Sequence, residues 1–405
     1  MIRLIHTADW HLGHAQYGLE QRMLDNAAAA AWACQQAAAA GCPLLISGDI
    51  FHGREPGPRA FRQAVHCLSI VKRAGLPALA IAGNHDRGWR SRTSWLHVLA
   101  DMGLIQLLDI TIANGKVLWD GAIAEALDFR VVGIPYLGGS LPNLLPSLRT
   151  YLLGLAPRPT ILMLHTDIAG IVPGFAATLT AADLEPLASS VSYVALGHLH
   201  VPFLLPDADH VYLGNPGALE AQSVAEGNDA GFVLDVILRD GGAAVTPIPY
   251  ENRRRYMNLH IEADGLSMEQ IVLAVEHEAD RGLDGRALAK EPIVNVYLSG
   301  RLAFDAAELD IEAIRKAVTR RPVLHCLIKD NTTPKDAETD AHDESLSRQD
   351  LEHAILSQRM AGNERFPDPE RWAYTGLELR ALVRSDTEEQ ALGLIRETAD
   401  ETGAA

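Results

Sequence analysis

The sequence predicts a layered α/β fold, and three observations carry that prediction. Short apolar runs of strand length alternate with longer helical stretches through residues 2–240. Glycine and proline punctuate the changeovers. Five of the apolar runs end on aspartate, asparagine or histidine, and ligands of open α/β sheets bind outside the carboxyl ends of the strands.

Residues 2–8 read as the first strand, followed by Asp9-Trp10-His11-Leu12-Gly13. Residues 19–41 are rich in alanine with few breakers, which favours a helix, and Gly41 ends it. The apolar run Pro43–Ser47 leads into Gly48-Asp49-Ile50-Phe51-His52. Pro56 and Pro58 open a helix over 59–74 whose Phe61, Val65, Leu68 and Val71 fall at helical spacing. Gly75 closes it, and Leu76–Ala82 reads as a buried strand delivering Gly83-Asn84-His85-Asp86. A plain turn would use Gly, Asn or Asp without the histidine. Residues 94–102 form a helix capped by Gly103; 104–135 are short strands and turns ending in Val131–Ile134; a helix follows near 144–155. Thr160–Leu164 is a strand that ends at His165, and Ser192–Leu196 is one that ends in Gly197-His198-Leu199-His200. Gly214-Asn215-Pro216-Gly217 reads as a tight turn, and 231–238 alternates as a strand.

Arg253-Arg254-Arg255 marks a boundary. Beyond it, strands at 256–261, 293–298 and 323–328 enclose helices near 267–281 and 306–319, a small α+β unit. Residues 329–345 are acidic without apolar period and read as a linker. Amphipathic helices at 346–361 and 373–399, separated by Pro367 and Pro369, close the chain.

With 405 residues the chain has room for two or three domains, and its 48% hydrophobic and 21% charged residues are ordinary for a globular protein. No apolar run reaches membrane-spanning length, and the amino terminus enters a strand without a signal-peptide layout, so a cytoplasmic protein is expected. Cys34, Cys42, Cys67 and Cys326 show no metal or disulfide spacing and read as reduced, buried thiols. The net charge of −17 argues against a general nucleic-acid binder, although bound cations would neutralise site carboxylates. The basic clusters Arg54-Arg59-Arg62, Arg87-Arg90-Arg92, Arg253–Arg255 and Arg320-Arg321 read mostly as solvated surface.

Asp9, His11, Asp49, Asn84, His165, His198 and His200 thus all fall at strand ends. Carboxylate, imidazole and amide together suit manganese, iron or zinc better than magnesium or calcium, and the lack of cysteine argues against structural zinc. Paired ions about 3.5–4 Å apart are a common device for phosphoester hydrolysis and need a bridging carboxylate, for which Asp49, alone after its strand, is the natural residue.

This ordered set resembles the calcineurin-like metallophosphoesterase superfamily. Within it, His6 through Gly13, Gly48 through His52 with Pro56, and Gly83 through Arg87 look like the SbcD-type DNA double-strand-break repair nucleases. The resemblance implies a four-layered core, two packed mixed sheets flanked by helices. It divides the chain into a nuclease domain at 1–253, a DNA-binding capping domain at 254–328, the acidic linker at 329–345 and a helical tail at 346–405. It implies that Asp9, His11 and His200 hold one ion, that Asn84, His165 and His198 hold the other, and that Asp49 bridges them, with Mn2+ the expected metal and Fe or Zn the other choices. It makes His85 and His52 catalytic, on the phosphate side, and leaves Asp86 structural. His6, His14, His66 and His97 carry no assignment. Such nucleases have a Gly-Ser turn after the last ligand pair, where this chain has Gly214-Asn215-Pro216-Gly217.

The implied function is a duplex 3'-5' exonuclease and single-strand endonuclease working with an SbcC-type SMC-like ATPase. The helices near 59–74 and 94–102 match the homodimer region of such nucleases, or simply cover the sheet. The tail helices suit docking on the ATPase, or pack back on the cap. A phosphodiesterase or phosphatase for small phosphoesters, and a scaffold that tethers DNA ends, are the alternatives.

Overall fold

The computed structural model describes residues 2–335 apart from positions 88–92, 114–115, 126–127, 174–176, 207–210, 228–230, 240–241 and 284–288. Of the tail it describes 348–361, 368–384, 394, 395 and 398. Met1–Thr332 and Thr333–Ala405 are two compact units.

Two six-stranded sheets build the core. The first runs, in spatial order, Gly242–Pro249, Phe232–Arg239, Ile2–Thr7, Leu44–Ile46, Ala78–Ala80 and Gln106–Leu107. The last four are parallel and the first two antiparallel. The second runs Phe203–Leu205, Leu213–Asn215, Tyr193–Gly197, Thr160–His165, Arg130–Ile134 and Ile123–Ala124, parallel except at its two edges.

Strand alternation explains the layers. Leu4, Leu45, Leu79, Ile161, Met163 and Ala195 point into the space between the sheets. Their neighbours Ile5, Leu44 and Ile46 point outward, against the alanine face of the helix Glu20–Ala40 and against Ala64, Leu68 and Val71 of the helix Pro58–Arg73. On the other side Val132, Leu162 and Val194 meet Leu144 and Leu148 of the helix Leu141–Leu153. The result is the expected four layers, two mixed sheets flanked by helices. Gly41 ends the first helix in the left-handed region (φ 62°), where a residue without Cβ is unstrained. Among the described residues, no helix is long and apolar enough to cross a membrane.

One strand was not anticipated, and two readings need correction. Gly242–Pro249 is a strand that the sequence hides, because Pro247 and Pro249 argue against one; it lies at the sheet edge, where proline is tolerated. The second tail helix, Pro369–Arg384, starts earlier than expected, with Pro369 as its first residue rather than a separator; the expected stretch 385–393 lies outside the described residues. Arg253 and Arg254 are buried, not solvated.

Arg254 belongs to a buried charge cluster. Its guanidinium reaches Asp25 (3.1 Å) on the first helix. Arg22 reaches Asp25 (2.8 Å) and Glu220 (2.9 Å), and Lys290 reaches both carboxylates (3.0 and 3.4 Å). Tyr256 adds a hydrogen bond to Gln16 (2.6 Å). These contacts fasten the Tyr256–Glu262, Ile293–Ser299 and His325–Asp330 strands, a three-stranded parallel sheet with its own core against the helices Met268–Leu283 and Ile311–Thr319, to the larger part of the unit.

Replacing Asp25 by alanine would strand buried cations, and the expected loss is about 3–5 kcal/mol in urea unfolding. A loss under about 1 kcal/mol, the size of an exposed pair, would show that the cluster is hydrated.

Candidate metal centre

The predicted residues come together at one end of the two sheets. Asp9 N–H donates to Gly48 O (3.1 Å) and His11 N–H to Asp49 O (3.0 Å), which ties the first two loops together. His85 N–H donates to Asp49 Oδ1 (2.9 Å), bringing in the third. His198 N–H donates to Asp9 Oδ2 (3.1 Å), which joins the second sheet to the first. Among the described residues five non-glycines have positive φ, and four of them are Asp9, His11, Asp49 and His198. Such backbone strain costs on the order of 1–3 kcal/mol per residue and persists where the surroundings over-determine it.

The side chains form two overlapping groups. In one, His11 Nε2 lies 3.0 Å from His200 Nε2, with Asp49 Oδ2 3.9 Å from His11 and Asp9 Oδ1 4.0 Å from His200. In the other, Asn84 Oδ1 lies 3.1 Å from His165 Nε2 and 3.0 Å from His198 Nδ1, and Asp49 Oδ2 is 3.4 Å from His165. Asp49 touches both groups, as a bridge must. Asp9, His11 and His200, and likewise Asp9, Asp49 and His165, place one donor atom each within 4.8 Å of one another.

The electrostatics call for a cation. Asp9 and Asp49 are each about 1% exposed, and among the described residues neither pairs with lysine or arginine. Burial pushes the Asp9 carboxyl up to about 6, against His165 and His200. Burial also raises Asp49, but His165, His11 and His85 outweigh it and hold its carboxyl below the usual range. His165 is raised to about 9, because Asp49 and Asp9 overcome the effect of its burial. Two buried carboxylates beside imidazole nitrogens and an amide oxygen are a donor set that fits divalent ions of mixed O/N preference.

The outer contacts fit as well. A histidine that binds metal through one nitrogen usually donates the other to a carbonyl or carboxylate. His165 Nδ1 donates to Ser47 O (2.7 Å), and His200 Nδ1 to Glu226 Oε1 (3.0 Å). His198 Nε2 faces Asp167 Oδ2 at 4.0 Å, and His11 Nδ1 faces His52 Nδ1 at 3.4 Å. Glu226 is itself held by Gln222 N–H (2.7 Å) and Ser223 Oγ–H (3.1 Å).

His85 and His52 lie beside the groups, with ring centroids 5.1 Å apart. His85 Nδ1 donates to His52 O (2.6 Å), which leaves Nε2 for a ligand. His85 lines an open cleft of about 570 Å³ together with Gly53, Arg54, Glu55 and Asn84, and the His52 ring stacks beside that of His85. Asp86 accepts from Phe51 N–H (2.9 Å), Gly83 N–H (3.1 Å) and Ile50 N–H (3.2 Å), a structural role as expected.

Several neighbours escaped the sequence. His14, given no role there, stacks on His52 with centroids 3.7 Å apart. Asn215, expected in a turn, ends the strand Leu213–Asn215 and donates to Leu199 O (2.6 Å) and Val201 O (2.8 Å), latching the His198–His200 loop. Glu226 and Gln222 stand in a polar loop without period. Only the Gly-Asn pairing at 214–215 offered a signal, since asparagine is a residue that bonds nearby backbone.

The fold and this donor set define a metallophosphoesterase. A family model described as calcineurin-like phosphoesterase matches residues 2–202, and the chain belongs to that family. Among its relatives, a protein of Archaeoglobus fulgidus named DNA double-strand break repair protein Mre11 is 27% identical over 255 residues, 59% of this chain and 55% of that one. The chain thus spans little more than half of that relative's length. A protein of the same name from Aeropyrum pernix is 27% identical over 80% of this chain and 79% of its own. A component of the nuclease SbcCD from Rhodobacter capsulatus is 27% identical over 73% of this chain and 80% of its own.

A Cβ added at Gly83 would lie 2.0 Å from Asp49 Oδ1 and 2.5 Å from Asp49 N, whereas at Gly53 it would meet nothing. Gly83→Ala is expected to cut metal affinity at least tenfold by isothermal titration, and Gly53→Ala to leave it unchanged. Equal affinities in both would show that Asp49 is not a ligand.

Proposed function

We propose that the chain is a metal-dependent DNA nuclease, an exonuclease on duplex ends and an endonuclease on single strands, acting in double-strand-break repair. The observation that carries this reading is His85, stacked with His52 beside the carboxylate–imidazole groups and lining an open cleft. A polymer backbone can enter such a cleft, and the names of the relatives point the same way.

In this reading Asp9, His11 and His200 hold one ion; Asn84, His165 and His198 hold the other; Asp49 serves both. Two divalent ions, Mn2+ above all, supply Lewis acidity for attack of water on phosphorus and neutralise charge on the phosphate oxygens. The chain's own residues do the rest. The outer partners of His165 and His200 fix which nitrogen faces inward. His85 Nε2, freed by the bond from Nδ1 to His52 O, contacts the phosphate or passes a proton to the leaving oxygen. His52 orients both His85, through its carbonyl, and His11, through its ring.

The partners follow from the same reading: DNA, an SbcC-type SMC-like ATPase held by the tail helices, and a second copy of this chain. The helices Pro58–Arg73 and Trp95–Asp101 bury one face in the core, and Trp95, 40% exposed and 5.2 Å from the Phe61 ring, offers the other face to a partner copy.

Mn2+ is expected to stimulate cleavage of linear duplex and single-stranded DNA, and a chelator to abolish it. His85→Gln should reduce cleavage at least a hundredfold with metal content retained. Hydrolysis of a chromogenic diester without action on any DNA would sink the nuclease reading. Sedimentation should show a dimer that Trp95→Glu converts to monomer; a monomeric parent would remove the dimer from the account.

A further inference from the structure

The three-stranded sheet near the carboxyl end of the larger unit has two unlike faces. Leu259, Ile261, Val294, Val296, Leu298 and Cys326 pack against its helices. The alternate residues form the second face, where Tyr256, Ile293 and Asn295 are buried and Asn258, His260 and Lys329 are exposed; the register places them in rows. Asn258, Asn295 and Leu327 form one row, and His260, Tyr297 and Lys329 the next.

That last row is built for flat ligands. The His260 and Tyr297 rings stack with centroids 4.9 Å apart and planes 5° from parallel. Lys329 Nζ stands 5.9 Å from the Tyr297 centroid. His260 and Lys329 are exposed and Tyr297 is partly so. A sheet face that served only to meet water would have no need of a stacked pair under a cation. At the other end of the same face His325 stacks on Tyr17, at 5.7 Å and 12°. Tyr17, 37% exposed, lies three residues beyond His14, which stacks on His52 beside His85. One carboxylate, Glu262, shares the face, at its far corner, where Ser299 Oγ donates to it (3.1 Å).

We infer that the exposed part of this face, centred on Tyr297 with His260 and Lys329, is a stacking platform for the bases of an unpaired DNA strand. The chemistry favours that occupant over duplex. Bases stack on aromatic rings only when they are unstacked from each other, and a lysine beside the rings meets the backbone. The inference rests on the nuclease reading and adds to it where the single strand lies.

The test measures fluorescence anisotropy of a labelled oligothymidylate and of a duplex of equal length, on the full chain. Tyr297→Ala is expected to weaken oligothymidylate binding about tenfold, the size of one lost base–aromatic stack, and to leave duplex binding within about twofold. Tyr297→Phe should bind like the parent. Lys329→Gln should lower the salt dependence of oligothymidylate binding by roughly one phosphate contact. All three should hydrolyse a chromogenic diester at the parent rate, which shows an intact fold and metal centre. Unchanged oligothymidylate binding by Tyr297→Ala, or equal weakening of both ligands, would overturn the platform while leaving the nuclease in place. A parent that cleaves DNA but does not bind oligothymidylate would overturn it too. A parent that neither binds nor cleaves DNA would overturn the nuclease reading itself.

Discussion

Two carboxylates taken out of water, Asp9 and Asp49, set the terms for the rest of the molecule. Burying a charge without a partner is expensive, and no lysine or arginine among the described residues pairs with either. Imidazoles surround them instead, and imidazole offers a lone pair to a cation as readily as a proton to an anion. The strained backbone at Asp9, His11, Asp49 and His198 has the same origin: each loop must turn at once after its strand so that its side chain reaches a shared centre. The close glycines follow as well. Gly48, Gly83 and Gly197 lie where a Cβ would strike His165, Asp49 and Ser47 respectively.

Much of this was legible in the sequence, because a buried strand announces itself by an apolar run and the ligand positions follow such runs directly. The strand-end positions of the seven candidate residues could be read that way, while the four layers came from the resemblance to the phosphoesterase superfamily. What could not be read depends on partners far along the chain. Arg254 looks like surface in a run of three arginines, yet it is buried because Asp25, 229 positions earlier, receives it. Glu226, Asn215 and His14 act on residues already recognised, from loops whose polarity has no period to reveal them. Gly242–Pro249 was masked by its own prolines, which an edge position tolerates.

The loop at 216–227 draws these hidden features together. Glu220 enters the charge cluster that fastens the three-stranded sheet, Gln222 Oε1 accepts from His14 Nδ1–H (2.7 Å), and Glu226 orients His200. Anchorage of the three-stranded sheet and outer support of the metal centre therefore share one short segment. A chain whose net charge is −17 can still act on a polyanion if its acidic site is neutralised by bound cations and its contacts to the polymer are local. In the proposed reading, the sheet face that carries Tyr297, His260 and Lys329 supplies contacts of that kind.

The central claim is that Asp49 joins two ions into one centre. Electron paramagnetic resonance of the chain loaded with two equivalents of Mn2+ tests it most directly. The account predicts the multiline spectrum of an exchange-coupled manganese pair, lost when Asp49 is replaced by asparagine. A spectrum of isolated, uncoupled Mn2+ at that loading in the parent chain would contradict it.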